Sequence, residues 1–281
     1  MKGFITSFLL RLELLNKVTN LEIEKCGIDS EGDPFVKLKE GPIFYGSRSS
    51  NKLDHILYPT LPRGVRMLLS KECIQVAVDI VIRYNEGGLK YGGPKKQSRY
   101  KVSRKDKVAE MGAYQGFCSI KLAEQVGEKG SVIAIEPMPD NFRLLEKNVK
   151  ANNLSHVTCV NKGVWDVEKK LKFNRKKNDR QSSSIEIKYN NSDYFIVQAD
   201  SLDNIFNDID EFANEFMIIQ LNGAEINALR GLSIFKPKHL SIAARYDTEG
   251  VDAALAISKL LKEKGYTVEV ENEDFVFAEL N

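Results

Sequence analysis

Apolar residues in this chain fall into short runs separated by longer amphipathic stretches. Between residues 107 and 249, the runs at 108–111, 131–135, 157–160, 216–221 and 240–244 read as strands. Helical patterns follow most of them. One covers 117–126 and stops at Gly127. Another covers 140–152, with Phe142, Leu145 and Val149 on one face. Two more cover about 224–232 and about 252–264. Strands alternating with helices predict an α/β fold: a mostly parallel sheet with helices on both faces. The β-like runs at 266–270 and 275–277 flank a short polar break and predict a C-terminal antiparallel hairpin.

The first hundred residues are less regular. Gly41-Pro42, Pro59, Pro62, Gly64, Gly87-Gly88 and Gly92-Gly93-Pro94 punctuate them. Within 65–84, Met67, Leu68, Leu69, Ile74, Ala77, Val78, Val81 and Ile82 suit a helix. The alternation of Ile74, Val76, Val78, Ile80 and Ile82 also suits a strand; helix is the preferred reading. Phe4, Phe8, Leu12 and Leu15 lie near one helical face. The run at 4–10 is too short for a membrane span, Arg11 and Glu13 interrupt it, and no cleavage-site pattern follows. The expectation is a mainly helical N-terminal extension or cap, 1–100, ahead of a ligand-binding domain, 101–281.

Composition narrows the class. The 281 residues are 42% hydrophobic and 28% charged, which suits a globular chain and excludes a disordered or fibrous one. Lys plus Arg (41) less Asp plus Glu (39) leaves +2, so overall charge does not mark a nucleic-acid coat. Basic residues cluster at 95–107 and 169–180, seven in each against one acid; solvated loops are the preferred reading and RNA contact the second. Cys26, Cys73, Cys118 and Cys159 are far apart in sequence, form no CxxC, and suit a reducing cytoplasm. His55, His156 and His239 lack metal-ligand spacing, so no metal is expected.

The candidate chemistry centres on Glu110-Met111-Gly112-Ala113-Tyr114-Gln115-Gly116, between the first strand of the alternating region and its helix. Glycine permits a tight turn and the close approach of a ligand. The spacing departs from G-x-G-x-x-G, and no G-x-x-x-x-G-K-[ST] occurs. Glu136 ends the second strand, directly before Pro137, where an acid can hold ribose hydroxyls. Glu110 would face an ammonium. Two acids with a glycine turn suit a ligand with a ribose, an ammonium and no phosphate, namely S-adenosylmethionine.

These motifs resemble the class I S-adenosylmethionine-dependent methyltransferases, and specifically the FkbM family. The family's D-V-G-A-N-x-G is similar to Glu110 through Gly116. Its acid-Pro pair and N-F/L-x-x-L-x-x-N helix are similar to Glu136-Pro137 and Asn141-Phe142 through Asn148. Its T-L-D is similar to Ser201-Leu202-Asp203, and its I-K-I-D-V-E-G-A-E to Ile218 through Glu225, with Arg230-Gly231 after it. Order and spacing agree over roughly 105–235. The resemblance implies a Rossmann-like sheet and methyl transfer, often onto a hydroxyl of a small molecule, sugar or lipid. The family's Asp and Glu after the fourth strand align with Gln220 and Asn222, amides that cannot take a proton as carboxylates do. A non-catalytic binding protein on the same fold is therefore an alternative, as is an RNA-modifying enzyme.

On this resemblance the cofactor would contact Glu110, Gly112, Ala113, Tyr114, Gly116, Glu136, Pro137, Gly163, Val164, Asp166 and Gln220. Glu225, Asp203 and Tyr246 are the candidate catalytic groups. Asn222 and Arg245 are the candidate substrate contacts. Trp165 is expected to be buried in the core rather than stacked on adenine.

Overall fold

The computed structural model describes residues 16–47, 57–85, 100–174, 194–209, 213–244, 252–271 and 275–281. The N-terminal apolar run, the start of the first basic cluster (95–99), the end of the second, Arg245 and Tyr246 lie outside them.

Among the described residues a seven-stranded sheet forms the centre. In chain order its strands are β4 (Lys107–Met111), β5 (Ser131–Ile135), β6 (Val157–Val160), β10 (Phe216–Ile219), β11 (His239–Ala243), β12 (Tyr266–Glu271) and β13 (Phe275–Leu280). Their spatial order is β12-β13-β11-β10-β4-β5-β6. The pairs among β4, β5, β6, β10 and β11 are parallel; β13 runs antiparallel to β11 and β12. This is the expected Rossmann-like arrangement with its terminal hairpin. Every residue of β10 is buried, as in a parallel strand covered on both faces.

Helices cover the two faces. Leu122, Ala123 and Val126 of α3 (Phe117–Val126) pack on Val108, Val132, Phe216 and Ile218. Leu145 of α4 (Pro139–Ala151) packs on Ala134 of the same face. The other face, including Met111, Ile135, Met217 and Ile219, meets α5 (Leu202–Asp208), α6 (Glu225–Arg230) and α7 (Ala253–Glu263) through Phe206, Leu229 and Ile257. The sequence places the ends of α3 well: Gly116 precedes it and Gly127 follows it, both at positive φ. Pro139 opens α4 with Asp140 in its first turn.

The chain passes from β4 through β5 to β6 on one side, then resumes at β10 on the other. The carboxyl ends of β4, β5 and β10 therefore flank a topological switch point, where open α/β sheets bind ligands.

Between 57 and 85 the N-terminal extension is helical, as expected; the pattern of the chain did not announce the antiparallel sheet ahead of that stretch, formed by β1 (Ile23–Ile28), β2 (Pro34–Leu38) and β3 (Ile43–Tyr45). Charged residues interrupt the apolar alternation of β1 and β2, which concealed them. The helical reading of 65–84 is correct: α1 (Arg63–Leu68), a 3-10 turn, α2 (Ile74–Asp79) and a π turn (Ile80–Asn85) fill that stretch. Ile74 through Val78 are all buried, so the segment carries apolar residues all round and its periodicity is ambiguous.

This extension docks closely on the sheet domain. Phe44 stacks on Phe117 of α3 with centroids 5.0 Å apart. Asn148 of α4 and Asn152 just after its end, one turn apart, pair with the edge of β3 as a strand would. The Asn152 amide donates to the Ile43 carbonyl (2.7 Å) and accepts from its N–H (2.8 Å). Asn148 does the same with Tyr45 (2.9 and 2.6 Å). Lys147 reaches Asp29, Glu31 and Asp33 at 2.5, 2.6 and 2.7 Å, so an ammonium occupies the centre of that acidic cluster.

A second small sheet was also missed. It comprises β7 (Gly163–Trp165), β8 (Lys169–Asn174) and β9 (Tyr194–Ser201), in the order β7-β9-β8. Trp165 is buried there among Leu171, Val197, Ala199 and Ala224.

Candidate active site

A cavity of about 80 Å³ opens at the switch point. Gly112 and Tyr114 line it after β4. Glu136, Pro137, Met138 and Asn141 line it between β5 and α4. Gly163 and Val164 come from β7, Leu171 and Phe173 from β8. Gln220, Leu221, Asn222 and Ala224 come from the loop after β10, and Arg83 from the N-terminal extension.

The glycine turn owes its residue types to two separate demands. Gly112 has φ +83°, and a Cβ there would lie 2.1 Å from the Gln220 carbonyl oxygen. Only glycine lets β4 and β10 end so close together. Gly116 also has φ +83°, but its missing Cβ makes room for Leu145 of α4. Gly116 therefore serves helix packing and does not line the cavity. Ala113 packs with Ala134 and Leu145, so it too supports the turn from behind.

Glu136 ties the turn to the next strand end. Its carboxylate accepts from the N–H of Tyr114 (2.8 Å), the N–H of Met138 (3.0 Å) and, more weakly, the Asn141 amide (3.4 Å). Burial pushes its pKa up to about 7, against the lowering effect of these donors. A carboxylate has about four acceptor sites. These three donors leave room for one more, and the Asn141 bond is the longest of them.

Several expected roles change. Glu110 is 2% exposed and does not line the cavity; Ser119 of α3 donates to it at 2.7 Å, which places it beneath the turn. Asp166 follows β7 but is not part of the cavity wall. Glu225 is buried, and its two oxygens accept from the N–H groups of Leu221 and Gly223, both at 2.8 Å. Burial raises its pKa, opposed by those backbone donors. It shapes the loop that carries Asn222, which has φ +54°, and does not face the cavity. Asp203 accepts from the N–H groups of Ser233, Ile234 and Phe235 at 2.8, 2.9 and 3.2 Å. Its carboxylate closes the loop after α6 and is no candidate base. Asp203→Ala strands those three donors and is expected to cost about 2–4 kcal/mol of stability while leaving cofactor affinity unchanged. Denaturant unfolding beside a cofactor titration checks both halves.

The sequence carries further signals of this wall. Leu171 and Phe173 alternate with Lys170 and Lys172, a half-buried strand pattern inside what reads as a basic cluster. Asn141 belongs to the motif quoted above, yet only its position after Glu136 in space gives it a place in the cavity. Nothing in the sequence pointed to Arg83.

The donor set suits S-adenosylmethionine. Among the described residues, Glu136 is the only carboxylate in the cavity wall and Arg83 the only cation. Val164, Leu171 and Phe173 supply an apolar wall for a flat base, and no cradle for phosphates is built.

A family model described as the methyltransferase FkbM domain matches residues 110–268. No curated protein matches the chain. Among solved structures it is similar to fibrillarin of Aeropyrum pernix, crystallised with natively bound S-adenosyl-L-methionine, at 12% identity over 92% of this chain and 98% of that one, with a TM-score of 0.45. It is also similar to a precorrin-6y C5,15-methyltransferase of Geobacter metallireducens, at 13% identity over 66% and 86%, with a TM-score of 0.43. A third is an S-adenosylmethionine-dependent methyltransferase of Aquifex aeolicus, at 14% identity over 64% and 84%, with a TM-score of 0.38.

Proposed function

Because the chain belongs to the FkbM methyltransferase family and is an S-adenosylmethionine-dependent enzyme, we propose that its acceptor is a hydroxyl of a small molecule, sugar or lipid. The observation that carries this reading is the amide pair Gln220 and Asn222 on the cavity wall beside Gly112. An amide carbonyl accepts from an acceptor O–H, and an amide N–H₂ donates to its neighbours. Together they would orient a neutral hydroxyl lone pair toward a methyl group.

The cofactor supplies an activated methyl on a sulfonium. The protein's part is alignment and exclusion of water. Glu136 would hold the ribose, with Pro137 beside it. Gly112, with Tyr114, would approach the methionine portion, and Gly163 and Val164 would border the adenine. Gln220, expected as a cofactor contact, would here join Asn222 in placing the acceptor oxygen in line with carbon and sulfur. Tyr246 remains the proposed proton acceptor and Arg245 the proposed holder of an anionic substrate group, both after β11 in the chain. The extension, residues 1–100, would cap this edge and set acceptor choice. A cytoplasmic location, suggested by the scattered cysteines, belongs to the same proposal. Among the described residues, no helix is long and apolar enough to cross a membrane.

The test is transfer of a ¹³C-labelled methyl from the cofactor into metabolite, lipid and RNA fractions, with NMR of the product. A methyl bonded to oxygen in a metabolite or lipid is expected. A methyl on nitrogen or carbon, or one carried by RNA, would overturn the hydroxyl assignment.

A further inference from the structure

Arg83 comes from the N-terminal extension, yet its side chain lines the cavity beside Tyr114 and Glu136. Its guanidinium carbon stands 4.3 Å from the centroid of the Tyr114 ring. Its Nε donates to Asp79 Oδ1 at 3.1 Å, and Asp79 is itself buried and accepts from the Gln75 amide at 3.2 Å. The Asp79 hydrogen bond and the Tyr114 stack hold the guanidinium plane, which suits recognition of a planar anion.

Tyr114 adds a second observation. It has φ +56°, a left-handed conformation that bulky residues seldom adopt. The Arg83 stack and the contacts of the ring with the N-terminal core hold it there. The turn and the arginine are thus built as one unit, on the side of the cavity proposed for the methionine portion. That portion ends in an ammonium and a carboxylate, and the cavity wall contributes one cation.

We propose that Arg83 binds the carboxylate of the methionine portion of S-adenosylmethionine, so that the N-terminal extension completes the cofactor site. The assignment rests on reading the cavity as that site. Arg83 is a binding residue here and takes no part in moving a proton.

The experiment compares S-adenosylmethionine with its decarboxylated form, two ligands that differ only in that carboxylate. Both are titrated into the wild-type full chain and into Arg83→Met, which keeps an apolar stem against Tyr114. In the wild type, the intact cofactor is expected to bind more tightly. In the variant, its affinity falls by about tenfold to a hundredfold, as loss of a charge-assisted hydrogen-bonded pair would produce. The decarboxylated ligand keeps its affinity and serves as the control for folding. Equal weakening of both ligands would mean a structural role and overturn the proposal. Unchanged affinity for both, with a raised KM for the acceptor, would move Arg83 to the acceptor side and overturn it as well. A wild type that binds neither ligand removes the cofactor reading itself, a different failure from the other two.

Discussion

Gly112→Ala is expected to lower the melting temperature by about 6–12 °C, corresponding to about 3 kcal/mol, and to weaken the cofactor binding of the protein that still folds. The backbone at Gly112 is in the left-handed region, and the added methyl meets the Gln220 carbonyl oxygen at 2.1 Å. A carbonyl in the main chain cannot swing aside as a side chain does. Gln220 N–H also donates to the Met111 carbonyl at 3.0 Å, so the end of β10 must move as a unit with the end of β4. That movement shifts Gln220, Leu221 and Asn222, three residues of the cavity wall. Gly265→Ala separates the two causes. Gly265 has φ +93° with nothing within 4 Å of the added methyl. It should show the conformational cost alone, about 1 kcal/mol. Equal losses at the two sites would show that the close approach of β4 and β10 contributes nothing.

Glu136→Ala is expected to weaken cofactor binding by about 1–3 kcal/mol, or roughly fivefold to 150-fold, through loss of hydrogen bonds to a charged group. Its effect on folding should be smaller, because removal of a buried carboxylate relieves desolvation as it strands the N–H groups of Tyr114 and Met138. The pH dependence follows from the raised pKa, near 7 in the free protein. The protonated form is the one folding favours; its contribution to stability is full below about pH 4.5 and is lost as pH rises through about 7. Ribose hydroxyls favour the ionised form instead. Cofactor affinity should therefore rise by up to about tenfold between pH 6 and pH 8 as the proton leaves before binding. Glu136→Gln should flatten that dependence and should gain stability relative to wild type as pH rises. A pH slope that survives in Glu136→Gln would assign the titration to another group.

The regular part of the fold was legible from the chain because each local signal agreed with the others. Gly116 and Gly127 bracket α3, Pro139 opens α4, and β5 and β6 are bounded by polar turns; all four elements lie within a residue of their expected bounds. The two small sheets were not legible. In β8 Leu171 and Phe173 line the cavity while Lys170 and Lys172 are exposed, so a charge cluster and a strand pattern occupy the same six residues. In β1–β3 the strands are short and their pairing is completed by side-chain amides of α4, more than a hundred residues away.

The candidate site divides in the same way. Gly112, Tyr114, Glu136, Pro137, Gly163, Val164, Gln220 and Asn222 meet at one cavity because each follows a strand end, a property of spacing. Glu110, Asp203 and Glu225 look equally chemical in the sequence, yet each carboxylate is already engaged by a serine or by backbone N–H groups. Which acid has its donors supplied by the fold is a property of three-dimensional packing. Arg83 shows the converse: a residue about thirty positions before the turn, in a stretch without any motif, completes the wall.

The central claim is that the turn at Gly112 and the carboxylate of Glu136 hold an adenosyl cofactor between them. Calorimetric titration of the full chain with S-adenosylmethionine and S-adenosylhomocysteine tests it most directly. One site per chain, saturating at micromolar ligand and weakened by Glu136→Ala, is the expected result. No heat of binding up to millimolar ligand, at pH 6 and at pH 8 alike, would contradict it.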